Sequence, residues 1–207
     1  MSREQRPSYF RSLSSYTHKD KPRLYIALYP RGGGAVSSAS HAYCDAQHWA
    51  LMIGPATSSR KDDATRYHLA HSADTFLAPN EAMHSFYFEE SGMLETPSAR
   101  GVLIRVTIAK VVDVEQTRKV LRSLSPRRED ESYSCLTWVR EAFVALHAEP
   151  GCLESYFDES KWRAVEECAR RYCKQKREER RSIDDGTLWE STGISTFNAW
   201  ENRETTA

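Results

Sequence analysis

No sign of charge predominates in this chain of 207 residues, where 29 lysines and arginines are matched by 29 aspartates and glutamates. A balanced chain projects no whole-molecule field, so nucleic acid and anionic membrane surfaces are not expected partners. Long apolar runs are also missing. The most hydrophobic stretches are strand-length, well short of the ~20 residues that cross a bilayer, so no integral membrane segment is expected. The opening MSREQRPSYFRSLSS has charge and serine but no apolar centre, and is expected to be neither a secretory signal nor an anchor. The five cysteines, an odd number, include no C-x-x-C pair. That pattern favours free thiols in a reducing, cytoplasmic setting. No two Cys/His pairs sit at zinc-finger spacing, so no metal is expected. Gly32, Gly33 and Gly34 lack a following lysine and do not lead into a helix, so no phosphate-binding loop or nucleotide cofactor is expected. There is no internal repeat.

What is present divides into strands followed by helices. RLYIALYP (23–30), HWALMIG (48–54), TRYHLAH (65–71), HSFYFEE (84–90) and GVLIRVTIAKV (101–111) are rich in branched and aromatic residues and predict five strands. The period then changes. Helices are predicted over 113–124, 134–148 and 158–181, the second capped by Ser132 or Ser134. The third carries an apolar stripe of Trp162, Val165, Ala169 and Tyr172, with Lys174 to Arg181 expected in water. Strands first and helices second predict an α+β fold with an antiparallel sheet. Residues 1–20 are expected to be flexible and 21–181 to form the folded domain. Residues 182–207 are expected to be an irregular tail packed on that domain through Trp189, Phe197 and Trp200.

One constellation carries chemistry. Cys135 falls at the predicted first turn of a helix, where unpaired N–H groups and the helix dipole favour a thiolate. The backbone N–H groups of Leu136 and Thr137 are candidates to hold an oxyanion. His48 opens the second strand and His68 lies on the third. If the Cys135 helix packs on the sheet face carrying His48, the imidazole meets the sulfur and His68 orients it. His71 and Asp74 replace His68 if the hairpin register slips. Cys44, four residues before His48, is read as a free surface thiol. Taken singly, a cysteine beside leucine and tryptophan is more often a buried hydrophobe, and a strand histidine a satisfied half-buried residue.

LYIALYPRGGG, QHWALMIGP, RYHLA and SCLTWV resemble the blocks of the lecithin:retinol acyltransferase-like family, which includes the H-rev107-type phospholipase/acyltransferases. The chain also resembles a group of uncharacterised fungal proteins that share these blocks and the helix at 162–176. The resemblance implies a circularly permuted papain-like domain of the NlpC type, with Cys135 as nucleophile, His48 as general base and His68 as the third polar residue. It implies acyl transfer or hydrolysis of an ester, thioester or amide through a thioester, without a cofactor. Three features depart from the family pattern: Ser134 stands where asparagine is usual, Trp138 where phenylalanine is usual, and TSSRKDDA enlarges the turn between the histidines. With no membrane anchor expected, a soluble small-molecule or acyl substrate is favoured. An isopeptidase of the permuted papain type and a non-catalytic interaction module remain alternatives.

Overall fold

The computed structural model describes residues 21–30, 47–56, 64–71, 86–92, 102–127, 130, 132–181 and 194–206. The expectations for residues 1–20, the triglycine, Cys44, the 57–63 turn, the side chain of His71, Asp74 and Trp189 lie outside the described residues. Five strands come first: β1 (Arg23–Pro30), β2 (Gln47–Gly54), β3 (Thr65–His71), β4 (Phe86–Gly92) and β5 (Ile104–Val111). Then follow α1 (Val114–Ser123), α2 (Cys135–Ala148), the two-residue β6 (Leu153–Glu154), a short 3-10 turn and α3 (Trp162–Arg181). The tail is not irregular where it is described, because β7 (Thr196–Asn198) and β8 (Arg203–Thr206) extend the sheet. The strand order is β4-β3-β2-β1-β5-β7-β8, with β6 beside β5.

All neighbours are antiparallel except β5 and β7. That one parallel pair has a topological cause: the chain between β5 and β7 runs through all three helices, and parallel strands need such a crossover. The fold is therefore α+β, with a mostly antiparallel eight-stranded sheet and three helices packed against it.

The two faces of the sheet bury different residues. Trp49, Leu51 and Ile53 of β2 join Tyr67 and Leu69 of β3 in a core shared with α2 and α3. On the other face Tyr25, Ala27, Tyr29, Ala50 and Met52 form a second buried cluster. Central strands buried on both sides read as nearly unbroken apolar runs, which is why β1 and β2 are so legible. The helix stripes follow the predicted spacing. Trp138, Phe143 and Leu146 of α2 and Val165, Ala169 and Tyr172 of α3 are all buried. The basic end of α3 differs from expectation. Lys176 is 6% exposed and pairs with Glu204 of β8 at 2.5 Å and Glu179 at 2.8 Å. The tail strand β8 supplies a carboxylate that draws this one lysine out of water.

Candidate active site

The sheet opens at the mouth of β2. Its ladder with β3 holds three pairs only, Leu51 with Tyr67, Met52 with Arg66 and Ile53 with Thr65. Toward the start of β2, the N–H of Trp49 donates to the Cys135 sulfur at 3.5 Å. Covalent geometry then keeps that sulfur within about 6 Å of the His48 Cα. Cys135 is the first residue of α2, after the N-cap Ser134, whose hydroxyl accepts from the Thr137 N–H at 3.3 Å. Ser134 rather than Ser132 is thus the cap.

Packing of α2 on the His48 face, the condition for the imidazole to meet the sulfur directly, is not what the structure has. The helix lies on the opposite face, against Trp49, Leu51 and Tyr67, and Cys135 reaches the strand from its N-terminal tip. The sulfur meets the β2 backbone, immediately after His48, in place of a simple face-on approach. Cys135 is 2% exposed and belongs to the helix-side core.

Period-2 alternation puts His48 and His68 on the face away from the helices. There His48 Nε2 and His68 Nδ1 are 2.7 Å apart, with the rings edge to face. The β3–β4 register sets His68 opposite Glu89 and Arg66 opposite Ser91. His68 Nε2 lies 3.3 Å from Glu89 Oε1, and Arg66 Nη2 donates to the same oxygen at 3.0 Å and to Ser91 Oγ at 3.2 Å. The Arg66 guanidinium also stands 5.4 Å from the centre of the Tyr29 ring, which flanks His48. The structure therefore joins His48, His68 and Glu89 in one row, and the Cys135 sulfur meets the backbone N–H of Trp49, the residue that follows His48.

Burial, reinforced by the Arg66 charge, depresses His68 to about 4 against the opposing pull of Glu89. Partial burial alone would raise Glu89, but hydrogen bonds from His68 and Ser91 and the charge of Arg66 bring it below its ordinary value. Burial lifts the Tyr29 phenol to about 12, despite Arg66. Near neutral pH His68 is therefore a neutral imidazole beside the Glu89 carboxylate, with the un-ionised Tyr29 phenol nearby.

The His68 depression has a consequence for stability. Unfolded, the ring takes a proton below about 6.5; folded, it resists until about 4. The unfolded state then binds more protons across that window, so stability is complete above pH 6.5 and falls as pH drops toward 4. The His68 share is roughly 3 kcal/mol over the full window. His147, also depressed by burial, acts in the same direction. Unfolding free energies from urea titrations between pH 7.5 and 4.5 should therefore fall less on acidification in His68→Gln than in the wild type, by about 2.5 kcal/mol. Equal slopes would contradict the assignment of a buried neutral ring.

A family profile matches residues 21–206. The chain belongs to the family of unknown function DUF6914. No curated protein and no solved structure matches it. The DUF6914 match covers the sheet, the helices and the tail strands together, so the row of polar side chains and the Cys135 helix lie within one family unit.

Within this DUF6914 chain, the two oxyanion candidates differ in their surroundings. The Thr137 N–H is engaged by the Ser134 cap. The first backbone bond of the helix runs from the Trp138 N–H to the Ser134 carbonyl. The Leu136 N–H comes before that bond and so has no carbonyl of the helix to serve. Among the described residues no group of three or more His, Cys, Asp or Glu is arranged to hold a metal ion. No described helix is long and apolar enough to cross a membrane. Glu89 escaped the sequence reading because it sits in FYFEESG beside a second glutamate. Only the register with β3 tells which of the two faces the histidines.

Proposed function

We propose that this DUF6914 protein is a thiol-dependent acyltransferase or hydrolase with a permuted papain-like domain, acting on esters, thioesters or amides through a thioester on Cys135. The observation that carries the reading is the 2.7 Å contact between His48 and His68, together with a cysteine at the first position of a helix whose sulfur accepts from the N–H of Trp49, next in sequence to His48. The sequence blocks similar to the lecithin:retinol acyltransferase-like family support it, since they set a histidine, a second histidine and a cysteine in this order.

In the mechanism the His48 imidazole takes the Cys135 proton, and the thiolate adds to the substrate carbonyl. Negative charge on the carbonyl oxygen is met by N–H groups at the start of α2, that of Leu136 before that of Thr137, which already serves the Ser134 cap. Collapse expels an alcohol, thiol or amine, which leaves with the proton held by His48. Water or a second nucleophile then attacks the thioester, its proton passing to His48, and the thiol is restored. His68 keeps the His48 ring oriented. The free thiols of Cys135, Cys152, Cys168 and Cys173 suit a reducing compartment, and a cytoplasmic location with a soluble acyl substrate is part of the proposal.

Intact-mass spectrometry after incubation with activated esters, acyl thioesters and an isopeptide-linked substrate tests the reading. A single acyl adduct mapped to Cys135, absent in Cys135→Ala, is expected. Reaction with the isopeptide alone would identify an isopeptidase. The burial of Cys135 to 2% exposure favours one second reading, a papain-like interaction module in which this thiol is only core. No adduct from any donor, with the fold intact, would support that module instead.

A further inference from the structure

The polar row does not end at the second histidine. We infer that Glu89 is a positioning residue that sets the tautomer of His68 and, through it, the nitrogen that His48 offers to the thiol. The inference rests on the acyl-transfer reading above.

A carboxylate only accepts hydrogen bonds. The nitrogen of His68 that faces Glu89, Nε2, must therefore carry the proton. A neutral ring with hydrogen on Nε2 is bare at Nδ1, and that nitrogen faces His48 Nε2 at 2.7 Å. His48 then donates from Nε2, and its own Nδ1 carries the basic lone pair. Reversing the His68 tautomer would move the proton between the two rings onto His68 Nδ1 and force His48 to hold its own proton on the other nitrogen. The carboxylate at the far end of the row, set against the backbone hydrogen bond that His68 also makes with Leu69, thus selects which atom takes the thiol proton.

The setting of Glu89 suits this role. Arg66 and His68 converge on Oε1, while the Tyr87 hydroxyl donates to Oε2 at 3.4 Å. Two donors on one oxygen also predict how an amide would sit in its place. A glutamine at 89 would turn its carbonyl toward Arg66 and His68 and its NH2 toward Tyr87. The acceptor is kept and only the charge is lost. A leucine at 89 removes the acceptor.

The test is imidazole nitrogen NMR on the full chain at pH 7, together with the rate of Cys135 acylation by an activated ester. In the wild type and in Glu89→Gln, His68 is expected as the Nε2–H tautomer, and Glu89→Gln should acylate within about threefold of wild type. Glu89→Leu should show a mixed or reversed tautomer and acylate about 10- to 100-fold more slowly. A role confined to pairing with Arg66 would lower the melting temperature of both variants and leave the tautomer unchanged. A wild-type His68 protonated on Nδ1 overturns the inference whether or not Glu89→Leu folds, and so does a folded Glu89→Leu that acylates at the wild-type rate. Failure of the wild type to acylate at all overturns the acyl-transfer reading, and this inference with it, whatever the tautomer.

Discussion

Replacing Cys135 with serine should reduce acyl transfer by more than about 10⁴-fold, the scale on which enzymes lose activity when their nucleophile is removed. The structure places a single sulfur at the first turn of α2, in contact with the backbone amide that follows His48. A hydroxyl there is a far weaker acid than a thiol and ionises hardly at all near neutral pH. The smaller oxygen also draws back from the Trp49 N–H. The volume change is slight, so the fold should survive with a loss of about 1 kcal/mol. Initial rates on an activated ester, read beside the melting curve, separate lost chemistry from lost folding. A serine variant that keeps a tenth of the wild-type rate would remove Cys135 from the mechanism.

His48→Ala should cost two to four decades, the usual range for a general acid–base group. Thiol activation and protonation of the leaving group are lost together, so acylation by a poor leaving group should suffer more than acylation by an activated ester. His68 acts one step further back. His68→Gln, which keeps a hydrogen-bonding group, should lose only about tenfold, since the base itself remains. If His68→Gln proves as damaging as His48→Ala, and His48→Ala keeps full thiol reactivity, the two roles must be exchanged.

Much of the frame was legible before any coordinates. TRYHLAH and RLYIALYP occupy β3 and β1 over the expected residues, and Cys135 does begin a helix. These segments are unambiguous because branched and aromatic residues, a terminating proline and a serine cap agree locally. The packing face of α2 was not legible. Both faces of β1 and β2 are apolar, with Tyr25, Ala27 and Met52 buried as fully as Trp49 and Leu51. A period-2 pattern marks the core side only when the other side is polar. The tail strands were missed for a different reason. Thr196–Asn198 is three residues long, and its pairing with β5 depends on contacts nearly a hundred positions away. The burial of Lys176 follows from that same pairing, because β8 supplies Glu204. In the site, the two histidines could be read from their strands, while Glu89 needed the strand register.

The most direct measurement is the rate at which iodoacetamide alkylates each cysteine at pH 6.5, resolved by peptide mapping in the wild type and in His48→Ala. Cys168 is the internal comparison, since it is more exposed than Cys135 while burial pushes its thiol up. The account predicts that Cys135, despite its burial, reacts at least tenfold faster than Cys168, and that His48→Ala abolishes the difference. A Cys135 that reacts no faster than Cys168, or whose rate does not change when His48 is removed, would contradict it.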